Sequence, residues 1–397
     1  MTIKERAKKV IAQGGLTNSK RPETFVEGVY PTHLQKGLHC YTFDDKGKIY
    51  VDYICALGTN LIGYRHKSVN AAVIEALNDG GLLSLGTIRE VEYGERLCGL
   101  FPWIEKIKIL KTGSEGCAAA IRIARAYTGR EMVFSQGYNG WHDESTSLTP
   151  PAIGVPKHDK IRRLEEFYEL DPSIAAVILE PVITDYSNER LEWLKSLRTK
   201  CRQHGIVLIF DETITGFRFP GLSFSKWAGI EPDITVMGKA LANGLPISIV
   251  GGNSALLDGD YFVSSSFSGD TLAIAASQAV IKTLTDSEWN INRIWEDAIA
   301  FKDQFNSINR EYIWLDGYPT RGRLLGKSET IKALFMQEMC KAGILFGPSY
   351  FWCAQHVHET FNTISLARQA ITRIANGECK LEGKMPVTPF AQKVRHQ

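Results

Sequence analysis

The sequence predicts an α/β fold, with a large domain built on a mostly parallel sheet that has helices on both faces, and a smaller α+β domain. Short apolar runs alternate with amphipathic runs through the middle of the 397-residue chain, as is typical of parallel strands joined by helices. The first 45 residues contain hairpin-like strands, and the chain after residue 286 mixes helix and strand. We therefore assign residues 46–285 to the large domain, and residues 1–45 and 286–397 to the small domain.

The alternation can be followed along the chain. The segment YTFDDKGKIYVDY predicts two strands around a turn at residues 45–47. The central strands and helices are predicted as follows: strands 107–110, 131–134, 173–181, 205–210 and 232–239, and helices 117–127 and 191–205. The second helix ends on Gly205, a common helix stop. IKALFMQEMCKAGILF predicts a helix followed by a strand, as in an α+β unit.

Composition narrows the classes of function. Lys+Arg 46 against Asp+Glu 44 leaves a net charge of +2, so no basic surplus favours nucleic acid or an anionic membrane. No run approaches the roughly 20 apolar residues of a membrane-spanning helix. The charged start MTIKERAKKV lacks the apolar segment of a signal peptide. The 8 cysteines form no C-x-x-C pair and are typical of reduced thiols. We expect a cytoplasmic protein without nucleic-acid or membrane partners.

Three metal-binding residue types lie close together near the C-terminus. Cys353, His356 and His358 fall on a predicted loop. Structural zinc sites need four ligands, and no fourth lies near these three in the sequence. Such groups are more often incidental, so we expect no metal.

Two predicted strands lead into residues suited to hold a flat, anionic molecule. Thr112, Gly113 and Ser114 follow the strand 107–110 and open a helix. Free N–H groups and the helix dipole favour an anion at such a position, although Ser114 could serve only as a helix cap. Tyr138 follows the strand 131–134 and could stack on a flat ring or simply pack on the surface. Ligands of open parallel sheets bind at this carboxyl edge.

Three other strands end in charged residues. Glu180 and Asp211 follow apolar runs, and Lys239 ends the strand 232–239. A buried carboxylate needs a positive partner, which could be a structural arginine or a protonated ring nitrogen. Desolvation favours the neutral, nucleophilic form of a lysine, although a lysine can also extend to solvent.

The order of these residues indicates one cofactor. An anion loop, an aromatic residue, a strand-end Asp and a strand-end Lys fit pyridoxal 5′-phosphate (PLP). The phosphate would lie at Gly113 and Ser114, the ring against Tyr138, the pyridine nitrogen on Asp211 and the aldehyde on Lys239. An ionised Asp211 would keep the nitrogen protonated, so that the ring can withdraw electrons.

The chain resembles the class III PLP-dependent aminotransferases of fold type I, and among them the glutamate-1-semialdehyde 2,1-aminomutase branch. The resemblance runs from about residue 14 to 285 and continues more loosely through residues 336–351. The following segments carry it: YVDYICALGTNLIGYRHKSVNAAV, KTGSEGCAAAIRIARAYTGR, GYNGW, AAVILEPV, IFDETITGFR, PDITVMGKALANGLP and SSFSGDTLAIAAS.

This resemblance implies roles for the cofactor residues. Lys239 matches the lysine that forms the Schiff base and shuttles the proton between substrate and cofactor. Asp211 matches the partner of the pyridine nitrogen, and Tyr138 matches the stacking aromatic residue. Gly113 and Ser114 match the phosphate loop.

The resemblance also implies an assembly and a substrate segment. Ser266 falls where the family has a Thr that reaches the phosphate of the neighbouring subunit, which implies a homodimer with shared active sites. Glu180 matches an acidic residue near the cofactor. In GGLTNSKRP, Ser19 and Arg21 match the segment that binds the substrate carboxylate. Arg218 and Arg321 are alternatives for that role, because a guanidinium matches carboxylate geometry.

Several positions depart from the family. Ile214, where many class III transaminases have Gln, and the following TGFR favour the aminomutase branch. Asn139 replaces the usual His after the stacking Tyr, and Leu57 replaces a Trp near the substrate. The segment from Ser19 to Arg21 and the C-terminal part are shorter. The cofactor residues are kept while residues expected near the substrate change, which indicates the same cofactor chemistry on a different substrate.

The sequence therefore predicts an aminotransferase that uses Lys239 and pyridoxamine phosphate to pass an amine from an amino acid donor to an aldehyde or ketone acceptor. The alternative is an intramolecular aminomutase of the glutamate-1-semialdehyde type, which uses the same cofactor residues. A PLP-dependent lyase or racemase, and a non-catalytic protein that kept the fold, are further alternatives. Intact Lys239 and Asp211 disfavour the last.

Overall fold

The computed structural model describes residues 1–165, 169–286 and 288–387. The chain forms two compact units, Met1–His66 with Arg293–Gln397 (the small unit) and Lys67–Asn292 (the large unit). The first boundary lies at residue 66, whereas the sequence pattern predicts it at residue 45. The reason is strand pairing, because Ile49–Asp52 pairs with Tyr41–Asp44 and with Ile344–Leu345 inside the small unit.

Strands and helices alternate through most of the described residues. In chain order, the strands are β1 Leu34–Leu38, β2 Tyr41–Asp44, β3 Ile49–Asp52, β4 Lys106–Leu110, β5 Met132–Gln136, β6 Ile161–Arg163, β7 Ile174–Leu179, β8 Val207–Glu212, β9 Ile234–Met237, β10 Ser248–Gly252, β11 Ile313–Tyr318, β12 Arg321–Gly326, β13 Ile344–Leu345 and β14 Ser349–Phe351. The helices are α1 Ile3–Val10, α2 Cys55–Gly58, α3 Lys67–Asn78, α4 Ile88–Leu100, α5 Gly113–Thr128, α6 Asp143–Ser147, α7 Asn188–His204, α8 Phe224–Ala228, α9 Ser254–Leu257, α10 Thr271–Asp286, α11 Ile291–Asn309, α12 Glu329–Lys341 and α13 Thr360–Ala375. Within the described part of the chain, no helix combines the length and apolar character needed to cross a membrane.

The large unit is built on a seven-stranded sheet of order β4-β10-β9-β8-β7-β5-β6. Neighbouring strands from β9 to β6 run parallel, and β10 is antiparallel to both β9 and β4. The predicted mostly parallel sheet is therefore confirmed. Because β4 has the same direction as β9, the carboxyl ends of β4, β9, β8, β7 and β5 all lie along one edge of the sheet.

Helix α5 packs across the middle of this sheet and supplies much of its core. Cys117, Ala120 and Ile123 of α5 are fully buried in one cluster with Ile209 and Val236 of the sheet. Small residues on the helix allow this close packing, since a Cβ at helical Gly116 would lie 2.6 Å from a methyl carbon of Val236. The start of α5, next to the carboxyl ends of the strands, is fixed by this packing.

The small unit contains two sheets, of order β1-β2-β3-β13 and β11-β12-β14. The hairpin predicted around residues 45–47 is present as the antiparallel pair β2 and β3. The core of the small unit is rich in aromatic side chains. Tyr53 stacks on Phe346 at 4.7 Å between ring centroids, and the ring centroids of Trp352 and Phe301 are 4.8 Å apart. Burying large aromatic side chains gives this smaller unit a substantial apolar core.

Candidate active site

Four predicted site residues lie at the ends of four adjacent parallel strands. Tyr138 follows β5, Glu180 follows β7, Asp211 lies near the end of β8, and Lys239 follows β9. The register aligns the ends of these strands, because Leu179 of β7 lies opposite both Gln136 of β5 and Phe210 of β8. These residues therefore lie along one sheet edge, as the sequence pattern indicated.

The carboxylate of Asp211 is buried and held by two donors of the protein. The residue is 5% exposed. Its Oδ2 accepts a hydrogen bond from Asn139 Nδ2 at 3.0 Å, and its Oδ1 accepts one from the Thr213 N–H at 3.1 Å. The thiol of Cys117 also contacts the carboxylate. Both oxygens are thus fixed in orientation, which is what a carboxylate needs in order to place a partner ring.

Three charged residues of the sheet edge affect the pKa of Cys117. Burial raises the pKa of the Cys117 thiol well above its usual value, and the negative charges of Asp211 and Glu180 raise it further. The positive charge of Lys239 acts in the opposite direction. Cys117 therefore stays a neutral thiol.

Asn139 is a site residue that received no role from the sequence. It is 1% exposed and has a left-handed backbone, with φ 48°. Its Oδ1 accepts a hydrogen bond from Ser135 Oγ at 2.8 Å, and its backbone carbonyl accepts one from Ser145 Oγ at 3.0 Å. These bonds turn its amide N–H toward Asp211. The signal in the sequence was the replacement of the family's His at this position, which by itself indicated a departure from the family and no function.

Glu180 holds the backbone of the segment that carries Tyr138. Its Oε1 accepts a hydrogen bond from the Tyr138 N–H at 2.8 Å. Gly137 permits this approach, since its φ is 102° and a Cβ there would lie 2.8 Å from Glu180 Oε1. Tyr138 is 50% exposed. Burial raises the pKa of the Tyr138 phenol, which keeps it neutral.

The N-terminus of α5 lies against the same segment. The Thr112 hydroxyl accepts a hydrogen bond from the Glu115 N–H at 3.2 Å, and Glu115 accepts one from the Thr112 N–H at 2.9 Å. Gly113 and Ser114 are the first two residues of α5, and N–H groups at such positions point out along the helix axis, where an anion can bind. Gly140, with φ 96°, packs on Ser114, where a Cβ would lie 2.7 Å from the serine side chain.

Lys239 begins a short 3₁₀ turn, Lys239–Ala242, directly after β9 and Gly238. Its backbone is left-handed, with φ 45°. Such a conformation is uncommon in residues other than glycine and is retained mostly at functional positions. The lysine is partly buried, whereas its neighbours Ala240 to Ala242 are fully buried.

These residues fit PLP. A ring with a protonatable nitrogen matches buried Asp211, a half-exposed aromatic residue lies at Tyr138, and a phosphate matches the N-terminus of α5. An orphaned polar atom supports the fit, because Thr213 Oγ1 is shielded from water and has no hydrogen-bond partner among the described residues. The Thr213 side chain lies against Gly113, where a Cβ would be 2.6 Å from it. A polar ligand between Asp211 and α5 would satisfy this hydroxyl.

The remaining predicted site residues lie elsewhere. Ser266 is exposed in the loop between α9 and α10. Ser19 and Arg21 belong to the small unit, where Ser19 helps to line a cavity of about 530 Å³ and Arg21 does not. The Arg21 carbonyl accepts a hydrogen bond from Thr24 Oγ1 at 2.8 Å. The roles predicted for Ser19, Arg21 and Ser266 stay predictions.

The group of cysteine and histidine residues noted in the sequence has different members in the structure. Cys353 and His356 lie with Cys55, rather than with His358, and their ligand atoms are within 4.8 Å of one another. Both ring nitrogens of His356 are already used, because Nδ1 accepts the Cys353 N–H at 3.0 Å and Nε2 bonds to the Asp52 carbonyl at 3.1 Å. A metal would have to displace one of these bonds.

Solved structures of similar fold are PLP enzymes. The FumI protein of Sphingopyxis sp. MTA144, in its PLP internal aldimine form, has a TM-score of 0.87 at 22% identity, covering 96% of this chain and 97% of that one. A glutamate-1-semialdehyde-aminomutase variant from Pseudomonas aeruginosa PAO1 in complex with PMP has a TM-score of 0.79 at 19% identity, covering 93% of each chain. The chain thus has the fold of PLP-dependent transaminases, which confirms the predicted fold type I.

Sequence comparisons define the family. The aminotransferase class-III model matches residues 26–156 and 154–353. The glutamate-1-semialdehyde 2,1-aminomutase of Syntrophomonas wolfei is 30% identical over 90% of this chain and 94% of its own length. The enzyme of the same name from Pyrobaculum aerophilum is 34% identical over 72% of this chain and 73% of its own length. The chain belongs to the class III aminotransferase family, and its cofactor is pyridoxal 5′-phosphate.

Proposed function

We propose that this protein is an enzyme that moves an amino group on a small molecule, with Lys239 as the residue that binds PLP and transfers the proton. One observation carries the proposal: Tyr138, Glu180, Asp211 and Lys239 lie at the aligned ends of adjacent strands, beside the N-terminus of α5. That arrangement supplies a ring face, a carboxylate for the ring nitrogen, an amine and an anion site together. Bound PLP would supply the electron sink of the reaction.

Side chains and backbone groups of the protein would hold the cofactor and move the proton. Asp211, oriented by Asn139 and Thr213, would keep the ring nitrogen protonated. Gly113 and Ser114 would hold the phosphate. The amine of Lys239 would move a proton between the substrate carbon and the cofactor carbon, as a general base and then a general acid.

The same residues serve transfer within one molecule or between two, and we propose the intramolecular outcome first. Its support is the sequence comparison, because relatives 30% and 34% identical are named glutamate-1-semialdehyde 2,1-aminomutase. This reverses the order expected from the sequence, in which an intermolecular aminotransferase came first. The substrate proposed is a small amino-aldehyde that carries a carboxylate, and the product is its isomer with the amine on the adjacent carbon.

Transfer from an amino acid donor to a separate carbonyl acceptor is the second candidate. Leu57 where the aminomutases carry a Trp, and the short segment between Ser19 and Arg21, favour it. Both differences fall on residues expected near the substrate rather than the cofactor.

The visible absorption of the PLP-loaded protein separates the two outcomes. Glutamate 1-semialdehyde and, separately, L-glutamate, L-alanine, L-glutamine and a diamine are added to the protein, and products are quantified. Isomerisation without release of a keto acid supports the aminomutase. A keto acid formed in stoichiometric amount with bleaching of the absorption band supports the aminotransferase. Lys239→Ala should abolish both, and a variant that retains either activity would refute the role of Lys239.

We also propose a homodimer. Apolar side chains of the large unit are exposed just before α4, at its start, and in the loop before α10: Leu85 84%, Ile88 78%, Val91 61% and Phe267 60%. The two segments adjoin, since the Thr271 N–H donates to the Gly81 carbonyl at 3.0 Å. Exposed apolar patches mark interaction surfaces, and Ser266 lies within this one.

Light scattering after size-exclusion chromatography tests the dimer. The wild type should run at twice the mass of 44.3 kDa, and Ile88→Asp should shift it toward one chain. Leu77→Asp, a change at another exposed apolar residue, of α3, serves as the control. A fully active monomer would contradict the shared active sites implied by Ser266.

A further inference from the structure

A buried arginine of the small unit has donors without a partner among the described residues. Arg321, the first residue of β12, is only 8% exposed. Its Nε and Nη1 are shielded from water and have no hydrogen-bond partner in the part of the chain that the structure describes. None of the ion pairs found between described residues includes it. A guanidinium stays protonated in proteins, and an unpaired buried charge is strongly destabilising. An anion at this position would relieve that cost.

Strand pairing fixes Arg321 on both sides. It lies opposite Tyr318 across the β11–β12 turn and opposite Phe351 of β14. The backbone at Arg321 is therefore set by neighbouring strands rather than by a free loop. A ligand that bound here would not have to order the chain first, which favours affinity.

The turn that precedes Arg321 is pinned as well. The Tyr350 hydroxyl donates to the Pro319 carbonyl at 3.1 Å, and the Trp352 N–H donates to the Thr320 carbonyl at 3.0 Å. Gly322 leaves no space for adjustment, because a Cβ there would lie 1.7 Å from the Asp316 carbonyl oxygen. The guanidinium is thus presented from a rigid frame.

A strained turn of the small unit lies next to the strand partner of Arg321. Phe351, the strand partner of Arg321, packs on the turn α2, where a Cβ at Gly58 would lie 2.5 Å from the phenylalanine ring. In that turn Cys55, Ala56 and Leu57 all have left-handed backbones, with φ of 48°, 50° and 60°. Consecutive strained residues of this kind persist mostly where function requires them.

The strained turn borders open space. Ala56 helps to line the cavity of about 530 Å³, together with Ser19, His33 and Tyr64. A cavity of this size accommodates a small organic molecule. Arg321 pairs with Phe351, Phe351 packs on the turn, and Ala56 of the turn lines the cavity. The buried guanidinium is thus linked to the cavity through Phe351 and the turn, although Arg321 does not itself line it.

We propose that Arg321 is an anion-binding residue that takes the carboxylate of a small molecule. A carboxylate carries one negative charge, which matches the single charge of the guanidinium, and its two oxygens fit the planar array of N–H donors. A phosphate dianion would leave excess negative charge in the same buried surroundings. Arg321 is also an alternative for the substrate carboxylate in the sequence, but the binding proposed here does not rest on the proposed function, because glutarate affinity is measured without turnover.

Equilibrium binding of glutarate tests this site. Glutarate is a dicarboxylate without an amine, and its affinity is measured by calorimetry on the PLP-loaded protein at constant ionic strength. Arg321→Met should weaken glutarate binding by about tenfold or more, because a charge-assisted hydrogen bond is lost. Arg323→Met is the matched control, since Arg323 lies on the same strand, is half-exposed and pairs with Asp316 at 3.0 Å. It should keep the affinity within about twofold.

Each result decides the proposal. Unchanged glutarate affinity in Arg321→Met, or wild-type binding of inorganic phosphate but not glutarate, would overturn it. If Arg321→Met does not fold, Arg321→Lys replaces it; this variant keeps the charge without the planar donors, and wild-type affinity in it would also overturn the proposal. In turnover assays, competition by glutarate would assign the carboxylate to the substrate, and a change in kcat without competition would assign it to an effector. Both of these outcomes support a carboxylate site.

Discussion

Asn139 offers the sharpest test of how this site is organised. Its amide donates to Asp211 Oδ2 at 3.0 Å inside the protein. A hydrogen bond to a charged group contributes about 1.5–3 kcal/mol, which corresponds to about 10- to 150-fold in an equilibrium constant. Asn139→Gly removes the amide but tolerates the left-handed backbone at φ 48°. We expect this variant to lose PLP affinity by that factor, because Asp211 is no longer held in place for the ring nitrogen.

A set of variants separates orientation of Asp211 from folding. Asn139→Ala loses the same hydrogen bond and also places a side chain in the left-handed region, which costs about 1–2 kcal/mol of folding stability. PLP affinity, measured from the visible absorption during dialysis, should therefore fall equally in both variants, while the free energy of unfolding falls more in Asn139→Ala. Asn139→His, the residue of the family, should restore part of the affinity. Wild-type PLP affinity in Asn139→Gly would refute the reasoning.

Three further predictions concern other parts of the chain. Asp211→Ala should keep the fold by circular dichroism and lose nearly all turnover; full activity would remove Asp211 from the site. Gly140→Ala should weaken PLP binding, because its Cβ would lie 2.7 Å from Ser114; unchanged affinity would contradict the role given to the α5 N-terminus. Burial raises the pKa of Glu338, but bonds from Gln337 and Lys341 and the charge of Arg373 hold it below 4.5. Its contribution to stability is therefore present above that value and lost as the pH falls through the folded-state pKa, so the gap in unfolding free energy between wild type and Glu338→Gln should narrow in acid.

Much of the large unit followed from its sequence. Strands β7, β8 and β9 are buried on both faces and are mainly apolar, as is typical of central parallel strands, so the sequence predicted them as strands. The residues after them could be assigned to one edge because parallel strands share a direction. The strand pairing of the small unit was harder to predict from the sequence. Strand β13 has only two residues, Ile344 and Leu345, and its pairing with β3 joins distant parts of the chain. No local pattern reports such pairing.

The sequence predicted which types of residue form the site, but not all the hydrogen bonds that orient them. Asp211 and Lys239 carry chemistry that a sequence can reveal because each ends an apolar run, and Tyr138 because it follows a predicted strand. Asn139 could not be given its role, since its value lies in a hydrogen bond to a residue 72 positions away. The cluster of Cys55 with Cys353 and His356 was missed for the same reason: Cys55 reaches the other two only through the fold.

The two adjacent acidic residues of β8 show why one of them is available to a cofactor. Glu212 is fully buried, and its two oxygens accept four hydrogen bonds: from the N–H groups of Phe224 and Ser225 at 2.7 and 3.0 Å, from Thr215 Oγ1 at 3.2 Å and from Ser225 Oγ. Its hydrogen-bonding capacity is spent inside the protein, so its role is structural. Asp211 has one bond to each oxygen, at 3.0 and 3.1 Å, and a thiol contact. A carboxylate oxygen accepts two bonds, so Asp211 keeps room for one more donor. The protonated nitrogen of PLP fits that position, and its charge would offset part of the cost of burying Asp211 beside Glu180.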